Sequence, residues 1–155
     1  QRHFAALQRL HAATIERAKK ASIDVALIYI PSCVTTAPRC HGDESIGVRL
    51  GMRTSPKWLQ GTPPIVRALA KFARDQQVPL LDLTPTFRAA EAEISKAHEA
   101  KPPQSVALDF FPHDMHWTPK GNDLAARAIA SFLGQSDVFS GLSLPAPASL
   151  ATLPD

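Results

Sequence analysis

Apolar residues recur at helical spacing from the start of the chain. Phe4, Leu7, Leu10, His11, Thr14, Ile15 and Ala18 share one face, with Arg, Gln, Glu and Lys between them. The spacing predicts an amphipathic helix over residues 2 to 21. Ile23 to Ile30 (IDVALIYI) is β-branched and almost continuously apolar, the pattern of a strand buried on both faces, and Pro31 ends it. From Ser32 to Pro63 the period is broken by Pro and Gly, which predicts a long loop of the kind that often carries function. Pro63 and Pro64 open a second helix with Ile65, Leu69, Phe72 and Ala73 on one face, and Val78 to Leu83 reads as another buried strand. Thr84 and Pro85 supply a cap and a first-turn proline for a third helix, running to His98 through Phe87, Ala90 and Ile94. After a turn at Lys101 to Gln104 comes a short strand, Val106 to Phe111. The last helix is expected over Pro119 to Leu133, with Leu124, Ala128, Ile129 and Phe132 inward.

Strands alternating with helices predict an α/β fold, a three-layer α/β/α sandwich around a parallel sheet. Three strands make a narrow platform for helices on both faces, and the leading helix has no preceding strand to pack back on. The chain is therefore expected to lack the N-terminal strands of its domain, which residues 1 to 133 would continue. Residues 134 to 155, rich in Pro, Ser and Ala, are expected to form an extended tail. No internal repeat is visible.

Composition narrows the class. The 155 residues suffice for one domain with a core. Hydrophobic residues make up 45% and charged residues 20%, as in a globular protein. No apolar run approaches bilayer length. The net charge of +3 comes from scattered Lys and Arg, which argues against nucleic acid as a partner. The chain opens at Gln1, without an initiator Met and already in a helical pattern, and whatever precedes it is expected to have been removed. Cys33 and Cys40 flank Pro38. They either close a small disulfide loop, as in an oxidising compartment, or remain two thiols. No second Cys or His pair at ligand spacing accompanies them, which disfavours zinc.

The chemistry is concentrated in Asp114-Met115-His116-Trp117-Thr118-Pro119-Lys120-Gly121. Thr118 is a good N-cap and Pro119 suits the first helical turn, so Asp114 and His116 fall on a short loop braced by a helix start. Histidine is the side chain that takes up and releases a proton near neutral pH. A carboxylate that orients it makes the base half of a nucleophilic triad. Otherwise His116 is an ordinary histidine beside a cap, and Asp114 merely complements the helix dipole.

This block, with Ala125 and Ala126 in the helix that follows, resembles the last conserved block of the SGNH (GDSL-type) hydrolases. Its D-x-H-W spacing is similar to bacterial members related to polysaccharide O-acetyltransferases and departs from the D-x-x-H of many plain esterases. The segments IYIPS and VPLLDLTPTF also look like later strands of that group. The resemblance spans residues 1 to 133, with the final block its specific part. It implies a three-layer α/β/α fold, Asp114 and His116 as acid and base, and a serine nucleophile in a G-D-S block after the first strand. It also implies oxyanion donors from that serine's amide, a glycine and an asparagine. The blocks other than the last are not found at their expected places. The serine is expected upstream of Gln1 or on a companion chain, so this segment alone is expected to be inactive.

Nucleophiles inside the chain are weaker readings. Gly42-Asp43-Glu44-Ser45 has no buried strand before it to force Ser45 into an exposed turn. Ser32 follows a strand but has Pro31 where an amide-rich turn is expected, and Cys33 lacks a setting that would lower its pKa. Gly121-Asn122-Asp123 lies in a helix start, so its likeness to the family's asparagine block is taken as coincidence. His113 falls outside the matching block. Trp117 is expected to pack under the His116 loop, and Trp58 either joins the core or walls a substrate pocket; both are substrate-binding candidates. The expected function is an SGNH-type ester hydrolase or O-acetyltransferase, periplasmic or extracellular. It would act on acyl esters or an acetylated glycan and need no metal or organic cofactor. The alternative is a non-catalytic carbohydrate-binding or accessory domain that keeps the fold.

Overall fold

In a computed structural model of the protein, which describes residues 2–41, 55–100 and 116–135, the first apolar stripe forms helix α1, Arg2–Lys20. Its stripe is only partly used. Ile15 is buried, whereas Leu7 and Leu10 are exposed. Strand β1, Leu27–Tyr29, follows, and it is shorter than the apolar run that predicts it. Helix α2, Cys33–Thr36, and two 3-10 turns, Pro38–His41 and Pro56–Leu59, lie in the region expected to be a plain loop. Helix α3 spans Pro64–Gln76, β2 spans Leu80–Asp82, α4 spans Thr84–Ala100 and α5 spans Pro119–Gln135.

The described architecture is mixed α/β and mostly helical, with β1 and β2 paired in parallel. The register sets Leu27 against Leu80, Ile28 against Leu81 and Tyr29 against Asp82. Bonds from Leu27 N to Pro79 O (2.9 Å) and Leu83 N to Tyr29 O (3.2 Å) carry the ladder past the strand ends. The expected strand Val106 to Phe111 and the tail from residue 136 lie outside the described residues.

The expectation that β1 is buried on both faces needs correction. Ile28 and Ile30 are exposed, 38% and 59%, and Ile23 is exposed as well. Side chains alternate across a strand, so Ile28 and Ile30 share the face of Leu81 and Leu83. Leu83 is fully buried and Leu81 packs on the core. The cover on that face thus reaches β2 more completely than β1. A second correction concerns α3, where Phe72 and Ala73 are buried as expected but Val66 joins them and Ile65 stays partly exposed.

The core gathers around β2 and α4. Leu83, Phe87, Ala125, Val34, Ala37 and the two cysteines form one cluster, with Trp117, Leu124 and Ala128 against it. α2 packs on α4, α4 on α5, α3 on β2 and α1 on α3. Lys19 Nζ donates to Gln76 O at 2.6 Å and pins the end of α1 to the end of α3. At the start of α4 the capping partner is Asp82 rather than Thr84: Asp82 Oδ1 accepts from Thr84 N at 2.9 Å, and Thr84 is itself buried. No helix of the described residues is long and apolar enough to cross a membrane.

Candidate functional site

His116 is exposed and stands immediately before α5. The cap expected from sequence is formed: Thr118 Oγ1 accepts from Gly121 N at 3.2 Å, and Thr118 O accepts from Asn122 N at 2.9 Å. Pro119 at the first helical position loses nothing, because its missing N–H would have had no partner inside the helix. Gly121 is buried in this first turn. Beneath the turn, Trp117 stacks on the fully buried Phe87 of α4. The backbone carrying His116 is therefore fixed on two sides, by a capped helix start and by a ring stack.

His116 opens on a shallow cleft of about 370 Å³ walled by Ile30, Pro31, Trp117 and Asn122. The apolar wall comes from the segment leaving β1, and Asn122 adds a side-chain amide able to donate and accept. The sequence likeness at Gly121-Asn122-Asp123 reads as coincidence, yet one helical turn after the cap Asn122 lines the same cleft as the histidine. Its place in the first turn after Thr118 was the available signal.

The remaining candidates separate. Asp114, His113 and Ser45 lie outside the described residues. Trp117 lines the histidine's cleft, whereas Trp58 lines another, together with Thr35, Lys57, Pro64, Ile65 and Arg67. Cys33 and Cys40 are bonded to each other, Cα atoms 6.1 Å apart, within the reach of a disulfide, and both are buried. A bonded sulfur offers no thiolate, so Cys33 is not a nucleophile in this structure. Ser32 does not line the cleft of His116; its carbonyl accepts from Thr35 Oγ1 at 2.8 Å and so serves the start of α2. Among the described residues no group of His, Cys, Asp and Glu could hold a metal ion.

No motif in the sequence marks Arg88, on α4. Its Nε donates to Thr35 O at 2.9 Å, and its two terminal nitrogens donate to Gly61 O at 2.6 Å and Trp58 O at 2.7 Å. One planar guanidinium thus joins α2 to the Trp58 turn. Gly61 makes this possible at φ 62°, a backbone conformation that a side chain would strain. Nearby in the sheet, burial raises the Tyr29 pKa and the Asp82 charge adds to it, while Arg88 works in the opposite direction. Comparison with protein-family models, with curated proteins and with solved structures gives no match to this chain.

Proposed function

We propose that the chain carries the histidine of an ester-processing serine enzyme of the SGNH type, with a three-layer α/β/α sandwich as its complete fold. The carrying observation is the placement of His116: exposed, at the mouth of a cleft, on a turn fixed by a capped helix and by a buried ring stack. A general base must be held still yet reach its substrate, and this position meets both needs. The likeness of the Asp114 to Gly121 block to the SGNH family supplies the reaction class.

In this reading His116 takes the hydroxyl proton as a serine attacks the ester carbonyl, then returns it to the leaving oxygen. Asp114 orients the imidazole and stabilises its charged form. The SGNH likeness puts the nucleophilic serine in an earlier block of the family, so in this reading it is assigned to a segment upstream or to a companion chain. Asn122 offers its amide to a substrate oxygen on the same wall. The acyl group then passes to water or to a sugar hydroxyl. The buried disulfide supports an exported protein.

The test supplies residues 1 to 155 together with the polypeptide encoded upstream and follows turnover of p-nitrophenyl acetate. Activity is expected, and His116→Ala is expected to lower it by roughly 10⁴-fold without unfolding the protein. Turnover unaffected by His116→Ala would overturn the proposal. A complete protein that binds glycan but turns over no ester would favour the accessory-domain alternative.

A further inference from the structure

The larger cleft, about 530 Å³, lies at Trp58 and not at His116. Its volume is in the range that holds a small organic ligand. Trp58, Pro63, Pro64 and Ile65 make its apolar walls, and Trp58 and Ile65 remain 41% and 37% exposed. Two cations, Lys57 and Arg67, belong to the same lining, and none of the described lining residues is acidic. Lys57 is exposed and makes no ion pair with a described carboxylate. Arg67 spends one nitrogen on Thr62 O and keeps further donors.

The cleft is also built to hold its shape. Arg88 ties the carbonyls of Thr35, Trp58 and Gly61 together behind it. Ser55 Oγ accepts from Lys57 N at 3.4 Å at the start of the 3-10 turn. Pro63 is buried, and its carbonyl accepts from Val66 N and Arg67 N at 3.0 and 3.1 Å. Trp58 and Arg67 are thus presented from braced backbone on opposite sides of the Thr62–Pro63 link.

We propose that this cleft binds a small ring-bearing carboxylate, its ring between Trp58 and the prolines and its charge on Lys57 and Arg67. Flat walls of indole and pyrrolidine favour a ring over a flexible chain, which would lose more rotational freedom on binding. One unengaged ammonium beside a partly engaged guanidinium suits a single carboxylate rather than a highly charged ligand. Pro31, at the histidine's cleft, and Thr35, at this one, are four residues apart. Their Cα atoms therefore lie within about 14 Å. The site is nonetheless separate from His116, and its ligand is bound without being transformed.

The test titrates the protein with 2-naphthoate, following calorimetry and amide NMR shifts, with decanoate, 2-naphthol and inorganic phosphate as comparisons. A Kd on the order of 100 µM is expected for 2-naphthoate, with shifts centred on residues 57 to 67. Lys57→Met should weaken it about tenfold and leave the fold intact, since Lys57 is exposed. Trp58→Ala should abolish binding, with Trp117→Phe as a control that keeps it. Equal binding of 2-naphthol would show that charge has no part and would overturn the proposal. Tighter binding of decanoate would overturn the assignment of a ring, and competition by phosphate alone would overturn the assignment of an apolar site. Shifts centred on His116, or no binding at roughly 5 mM, would overturn it outright. None of these results bears on ester turnover at His116, so the two proposals fail separately.

Discussion

Trp117 lies over Phe87 with ring centroids 5.0 Å apart and planes 21° from parallel. Phe87 is fully buried in α4, whereas Trp117 is half-buried beside the exposed His116. The stack therefore links the core to the turn that presents the histidine. Phe87→Ala is expected to destabilise by about 3–5 kcal/mol, because it leaves a cavity among Leu83, Ala125 and the disulfide. Trp117→Ala should cost about 2 kcal/mol, less because the ring is partly solvated. Urea unfolding of both single variants and the double variant checks this, with a coupling of about 0.5–1.5 kcal/mol expected for the ring pair. Additive effects would mean that the stack contributes area alone.

Arg88 makes three donations to carbonyls of two segments, up to 53 residues away in sequence. Arg88→Met keeps the aliphatic stem and removes all three. The expected loss is about 1–3 kcal/mol, limited by the access of water to the exposed carbonyls. Arg88→Lys should not restore stability, since an ammonium cannot span the planar fork. Hydrogen exchange should quicken selectively across residues 57 to 62. Unchanged exchange there would show that the turn holds itself.

The Cys33–Cys40 bond closes a short loop inside the core cluster. Protein from an oxidising compartment is expected to show no free thiol by intact mass after alkylation without reductant. Cys33→Ala with Cys40→Ala should lower stability by about 2 kcal/mol through the unfolded chain's regained freedom. Two alkylated cysteines in unreduced material would contradict the bond.

Tyr29 is expected to make stability fall at alkaline pH. Burial, with the neighbouring Asp82 charge second, holds its pKa above the ordinary value, so the folded state keeps the phenol proton after the unfolded chain has lost it. Stability contributed in this way is fully present below the unfolded pKa near 10 and declines as pH rises toward the folded value. Unfolding midpoints measured from pH 8 to 11 should therefore fall more steeply for the native chain than for Tyr29→Phe. Parallel curves would show that the phenol does not titrate differently on folding.

Much of the local structure was legible because its causes lie within one turn of chain. The N-cap at Thr118 needs only its own hydroxyl and the N–H of Gly121, and both are set by adjacent residues. The helices α1, α3, α4 and α5 follow from apolar spacing, with prolines at the starts of α3, α4 and α5, and the ends expected for α1, α4 and α5 differ from those observed by only a few residues. The disulfide pair was visible as an option, because proximity in sequence makes a bond possible but does not choose it.

What tertiary structure decided is which distant surfaces meet. Periodicity puts Ile65 on an apolar stripe, yet in the helix that packs on β2 and α1 it is Val66 that is buried while Ile65 stays partly exposed. Eight nearly continuous apolar residues read as a doubly buried strand, but Ile28 and Ile30 remain exposed because burial depends on what covers a face, which the strand's own residues do not encode. The two tryptophans line different clefts, Trp117 with His116 and Trp58 with Lys57 and Arg67. Ile30 and Pro31, far from Asn122 in sequence, wall the same cleft as Asn122 and the histidine. Arg88 carried no motif at all; its role arises from three carbonyls converging on one guanidinium. Caps and stripes are written in neighbouring side chains, while a cleft is made of pieces that neighbour one another only after the chain has packed.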